Sequence, residues 1–274
     1  MIDCAACAKT EGCPQTAGCA ACAAGVGCAV GAGCAAVPTE PAVPADLLLA
    51  QVADAVRARA TVYRLLASLY FAELTEEQIR HVASLDPFSL DGFDPLFAEG
   101  LHDVQRALRR PDSGTREELA VDYAHSILGA GTYEERRATP YESVFTSETG
   151  LLMQDARDEV LALFRSEHLQ PDPRLRVPED HLSFIFEFMA VMCDRLAGAL
   201  GEGDLAEARR NVGVQKTLHA GHLLNWIDKF CDVFDKVALT RFYRGVSKMT
   251  RSFVHMDAEF LSDVDAALAE AEGE

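Results

Sequence analysis

The chain has 274 residues, 49% hydrophobic and 25% charged, which excludes a chain disordered throughout and leaves room for one large or two small cored domains. Its 43 acidic against 25 basic side chains give a formal charge of −18, a field that disfavours nucleic acid and anionic membrane surfaces and favours basic partners. Met1-Ile2-Asp3-Cys4 has neither the basic start nor the apolar core of a secretory signal, and the longest apolar run, Phe184 to Cys193, is interrupted by Glu187 and too short to span a bilayer. The expectation is a cytoplasmic protein with no nucleic-acid partner and no stable membrane insertion.

Residues 1–44 read differently from the rest. Cys4, Cys7, Cys13, Cys19, Cys22, Cys28 and Cys34 lie here amid Ala and Gly, with no aromatic residue before Pro38. Such a segment has too little apolar bulk to offset its chain entropy by burial. Cys4, Cys7 and Cys13 recur as Cys19, Cys22 and Cys28, and Cys34 repeats Cys19, a duplicated Cys-x2-Cys-x5-Cys unit. Two thiolates at Cys-x2-Cys spacing can share one tetrahedral ion, so zinc or an iron–sulfur cluster is the first reading. An unstructured tail and a disulfide framework are the alternatives, although an odd number of cysteines without an export signal suits disulfides poorly. Pro38, Pro41 and Pro44 form a stiff linker to a second region, residues 45–274.

That second region reads as helices throughout, an all-α bundle. Leu49, Val52, Val56, Ala60, Tyr63, Leu66 and Tyr70 recur at steps of three and four, giving one apolar stripe on a long first helix. Thr75 with Gln78 has the pattern of a capping box for a second helix, and Asp94-Pro95 opens a third towards Arg110. Thr115 with Glu118 repeats the box before a fourth helix ending near Gly129. Residues 158–168 continue helical until Pro171 and Pro173, and Pro178 opens the next helix. Two more follow, with stripes Leu223, Ile227, Phe230, Phe234 and Phe242, Val246, Met249, Phe253, before a short acidic helix closes the chain. Period-two alternation is absent, so strands are not expected. Cys193 and Cys231 fall within helices as buried, reduced thiols.

Glu179-Asp180-His181 combines two carboxylates with an imidazole, a set able to do acid–base work. The plainer reading places Glu179 and Asp180 in a first helical turn, where negative charge suits the free amides. Both Asp180 and His181 are then expected to stay solvent-accessible, so that truncating them harms binding more than stability. The residue four after His181 is Ile185, which argues against a helical metal motif there. Glu187 sits in a helix apolar on nearly all faces, which predicts a buried carboxylate with a structural partner. His219, His222 and Trp226 are expected at a helix surface and core edge. A phosphate loop, a nucleophile elbow and a dinucleotide fingerprint are all missing, so a hydrolase built on Asp180 and His181 lacks a placed nucleophile.

The motif order adds a resemblance. Pro140-Tyr141-Glu142-Ser143 followed by Pro178-Glu179-Asp180-His181 resembles the TorD/DmsD family of molybdoenzyme maturation chaperones. So do Asp122-Tyr123 with Leu128-Gly129, then Glu187-Phe188-Met189, Trp226 and Phe242-Tyr243. The likeness covers residues 57–262 and leaves out the cysteine-rich segment. Phe145 stands where the family often has Tyr, and Ile127 where an aromatic residue is frequent. The resemblance implies an all-helical, non-enzymatic chaperone without a cofactor in its helical domain. Its partners would be the twin-arginine leader and apo form of a molybdopterin oxidoreductase of the DMSO reductase family, held until the cofactor is inserted before export. It implies a client site at Pro140, Tyr141, Glu142, Ser143, Pro178, Glu179, Asp180 and His181. The competing reading, from the cysteines, is a metal or iron–sulfur protein in electron transfer or redox sensing.

Overall fold

A computed structural model describes residues 45–85, 93–109, 114–130 and 138–273. The seven tail cysteines, the three linker prolines and Arg110 lie outside the described residues. Among those described, the secondary structure is helical, with one isolated antiparallel bridge between Tyr141 and His181. The elements are α1 (Ala45–Phe71), α2 (Glu76–Ala83), α3 (Pro95–Ala107), α4 (Thr115–Ser126), α5 (Glu142–Thr146), α6 (Asp155–Ser166), a 3₁₀ turn Pro173–Leu175, α7 (Leu182–Glu202), α8 (Leu205–His222), α9 (Ile227–Val237) and α10 (Arg241–Gly273). The expected box at Thr75 and Gln78 forms, as does the Asp94 cap on the Leu96 amide. The second box does not form, because Thr115 is already helical behind Gly114.

The apolar stripes meet as two long helix pairs, α1 along α7 and α3 along α10, with α8 and α9 closing against α7 and α10. Tyr63, Tyr70, Phe186, Phe230, Phe234 and Phe253 fill the centre in tilted and edge-on ring contacts. Cys193 and Cys231 are free and buried, and burial pushes both thiols up to about 12. Two buried carboxylates fasten long-range joints. Asp257 on α10 pairs with the Arg59 guanidinium of α1 and accepts from the Tyr63 hydroxyl at 2.6 Å. Asp122 on α4 accepts from the Leu239 and Thr240 amides at 3.0 and 2.7 Å, fixing the turn from α9 into α10.

Three expectations about helices need correction. Helix α8 was not legible, because its buried face carries Asn211, Gln215, His219 and His222 and so breaks the apolar period. The closing acidic segment is no separate helix: Leu261, Val264 and Leu268 extend the buried stripe of α10 without a break. Glu187 is exposed, not buried, since α7 leaves one narrow strip to solvent.

Helices α3 and α10 cross where two glycines face each other. A Cβ on Gly245 would lie 2.6 Å from the Gly100 carbonyl oxygen and 2.9 Å from Val104 Cγ2. A Cβ on Gly198, exposed on α7, would meet nothing within 4 Å. Gly245→Ala should therefore destabilise by about 1–3 kcal/mol through overpacking. Gly198→Ala should stabilise by up to about 1 kcal/mol through helix propensity. Urea unfolding of both variants checks the contrast, and a neutral Gly245→Ala would refute the close crossing.

Candidate functional site

The segments around Pro140 and Pro178 meet although 37 residues separate Ser143 from Asp180. Their backbones form a two-sided clasp. The Glu142 amide donates to the Asp180 carbonyl at 3.1 Å, and the Leu182 amide donates to the Pro140 carbonyl at 2.8 Å. One carboxylate oxygen of Asp180 accepts from the Ser143 amide at 2.9 Å, and the Ser143 hydroxyl accepts from the Gln154 amide at 3.2 Å. The start of α5, the start of α7 and the loop before α6 are thus tied at one point.

The Glu142 carboxylate faces α8 and its end. It lies 2.9 Å from His222 Nδ1 and accepts from the Asn225 side-chain amide at 2.8 Å. The Trp226 indole N–H donates to the His222 carbonyl at 2.8 Å, and its ring stacks on Phe145 at 5.5 Å. On the outer side, Arg157 of α6 donates to Glu179 at 2.5 Å and to Asp158 at 2.8 Å.

This geometry corrects the sequence expectation at Pro178. Helix α7 begins at Leu182, so Pro178, Glu179 and Asp180 form the turn before it and His181 is the N-cap. The His181 Nδ1 accepts from the Ser183 amide at 3.1 Å, which leaves its proton on Nε2. The expected accessibility of Asp180 and His181 is also overturned, for both are buried. Pro140, Glu142 and Ser143 are buried with them, leaving Tyr141, Pro178 and Glu179 half-buried at the rim. Burial raises the Asp180 carboxyl above its usual range, with the Ser143 bond pulling the other way. Removing that carboxylate would strand the Ser143 amide in the interior, a cost of about 1–3 kcal/mol.

Next to the rim the loop between α5 and α6 carries Leu151, Leu152 and Met153, 61%, 43% and 56% exposed. Exposed carboxylates stand on either side of this run, at Glu148 and Asp155. His222, Asn225, Gln154 and Arg157 are site residues that the sequence reading did not place. His219, His222 and Trp226, expected at a helix surface and core edge, are all buried, and nothing about Asn225 or Arg157 marked them. Among the described residues, no group of three or more His, Cys, Asp or Glu side chains is arranged to hold a metal ion, and no helix is long and apolar enough to cross a membrane.

The described residues form an all-helical body in which two distant loops are clasped together, and comparison with known proteins defines the family. The family described as nitrate reductase delta subunit matches residues 90–232. The chain is similar to the curated Chaperone protein TorD of Vibrio atlanticus (strain LGP32), 26% identical over 212 residues that cover 74% of this chain and 94% of the relative. It is also similar to Chaperone protein TorD of Vibrio cholerae strain O395, 28% identical over 214 residues covering 75% and 93%, and to that of Shewanella loihica, 26% identical over 214 residues covering 75% and 93%. The chain belongs to this nitrate reductase delta subunit family, in the TorD/DmsD group of molybdoenzyme maturation chaperones that its motifs resemble.

Burial holds the His181 imidazole down to about 4, against an ordinary value of 6.5. The unfolded chain therefore binds this proton more readily than the folded one. The contribution is fully present above about pH 6.5 and is lost as pH falls towards 4, by at most about 3 kcal/mol. His181→Asn keeps an acceptor for the Ser183 amide and removes the titration. Denaturant unfolding at about pH 7 and pH 5 should show a smaller loss in this variant than in the parent. Equal losses would show that His181 titrates normally in the folded protein.

Proposed function

We propose that this chain is a cytoplasmic chaperone, not an enzyme, that binds the twin-arginine leader and apo form of a molybdopterin oxidoreductase of the DMSO reductase family and assists cofactor insertion before export. The observation that carries this reading is the surface beside the clasp. Leu151, Leu152 and Met153 offer an apolar run for the hydrophobic part of a leader, and Glu148 and Asp155 offer carboxylates for its arginines. The family supports the chaperone role, and the relatives' printed names are those of chaperones. The buried Glu142, Ser143, Asp180 and His181 act as positioning residues that hold this surface, while Tyr141, Pro178 and Glu179 are accessible to a client.

Titration calorimetry with a panel of twin-arginine leaders tests the reading. Affinity should fall as salt rises, because exposed charge pairs are screened beyond about 8–10 Å at 0.1–0.15 M ionic strength. Changing Arg-Arg to Lys-Lys should weaken binding at least about threefold, since Lys cannot make the bidentate contact. Indifference of every leader to that change would remove the leader from this account.

The cysteine repeats favour a second, separable role. We propose that residues 1–44 bind zinc or an iron–sulfur cluster; a cluster would give the chain an electron-transfer or redox-sensing capacity beside its chaperone domain, whereas zinc would act structurally. Full-length protein prepared without oxygen should carry at least about one zinc or iron ion per chain, and a version starting at Pro44 should lose it while keeping its helicity. A metal content well below one ion per chain would end this proposal.

A further inference from the structure

Next to the clasp and the Leu151–Met153 run, this acidic chain carries a basic groove. It has a volume of about 400 Å³ and lies between α6 and the segment leading into α7. Arg157, Arg165 and Arg176 line it together with Met153, Leu161 and Val177. Its two carboxylates are already engaged. Glu179 receives Arg157, and Asp172 receives the Arg174 guanidinium at 2.9 Å together with the Arg174 amide at 2.9 Å. Arg165 and Arg176 are exposed and form no ion pair or side-chain hydrogen bond among the described residues. Two uncompensated guanidinium groups in one groove are notable on a chain of net charge −18.

The backbone points to the same place. Met153, His168 and Arg176 are the non-glycine residues with positive φ among those described, at 61°, 56° and 52°. Met153 and Arg176 both line the groove, and His168 closes α6 between them in sequence. Left-handed conformations at long side chains cost free energy and persist where surrounding structure over-determines them, often at ligand clamps.

We propose that this groove docks an acidic, apolar peptide segment of a partner protein. Its carboxylates would pair with Arg165 and Arg176, and its apolar side chains would cover Met153, Leu161 and Val177. Charge complementarity argues for this occupant. A twin-arginine segment is repelled by the same two guanidinium groups, so the groove is a second contact that borders the leader site at Met153, Pro178 and Glu179. The apolar half of the lining, continuous with exposed Leu151 and Leu152, argues against a small anion as the occupant. The inference rests on the reading of the chain as a client-binding chaperone but requires no leader binding.

The test uses the full chain and a fluorescein-labelled peptide of alternating Leu and Glu, with matching Leu–Gln and Leu–Lys peptides. The Leu–Glu peptide should bind more tightly than the Leu–Gln peptide, and the Leu–Lys peptide least of all. Arg165→Gln with Arg176→Gln should weaken the Leu–Glu peptide roughly tenfold, about threefold for each exposed pair, and should leave the Leu–Gln peptide unchanged. Both arginines are exposed, so the melting temperature should not move. Equal binding of the Leu–Glu and Leu–Gln peptides, no binding at millimolar peptide, or full affinity in the double variant would each overturn the proposal. A twin-arginine leader titrated in parallel separates the two readings. Its failure to bind counts against the leader site alone, provided the acidic peptide still discriminates between parent and double variant.

Discussion

Two buried carboxylates, Glu142 and Asp180, are the constraint on which the site depends. A carboxylate taken out of water is tolerated only when its oxygens find donors or its proton returns. Glu142 meets this with His222 and Asn225, and Asp180 does so in part with the Ser143 amide. Because the donors come from different parts of the chain, meeting the requirement draws α5, α7 and the α8–α9 junction to one point. The other Asp180 oxygen has no protein partner, consistent with a carboxyl whose proton is held more tightly than usual. The clasp is thus a structural device made of residues that look, in sequence, like catalytic ones.

The consequence is a division of labour within the eight motif residues. The buried ones set where the loop between α5 and α6 runs, since the Ser143 hydroxyl holds the Gln154 amide at the start of α6. That loop then exposes three consecutive large apolar side chains, which is unusual on a chain whose other surface residues are mostly polar. Exposed carboxylates flank it at Glu148 and Asp155, and a groove with exposed, unpaired guanidinium groups borders it at Met153. A surface with apolar, acidic and basic sectors side by side fits a client segment that is itself mixed in charge. Net charge alone, at −18, concealed the basic sector.

Much of the fold was legible in the sequence. The stripe on α1, the cap at Thr75 and the Asp94-Pro95 start all rest on local rules, and local rules operate at those places. What was hidden was polar burial. Helix α8 buries Asn211, Gln215, His219 and His222 on its inner face, so no periodic apolar signal marks it. His181 was legible as a helix-start residue, but its role as the cap and its burial depend on the Pro140 segment lying across it. Glu187 misled in the opposite direction, since α7 reads as apolar all round while one narrow strip reaches solvent. The motif order identified the family where pattern rules alone stopped at an all-α domain with a polar patch.

Hydrogen exchange of the full chain, free and with a twin-arginine leader bound, tests the central claim that the clasp presents the client surface. The account predicts added protection in residues 147–154 and at Glu179. The clasp amides of Glu142, Ser143 and Leu182 should be slow in both states, and the α3–α10 crossing should not change. Protection gained at the α3–α10 face with none beside the clasp would contradict the account.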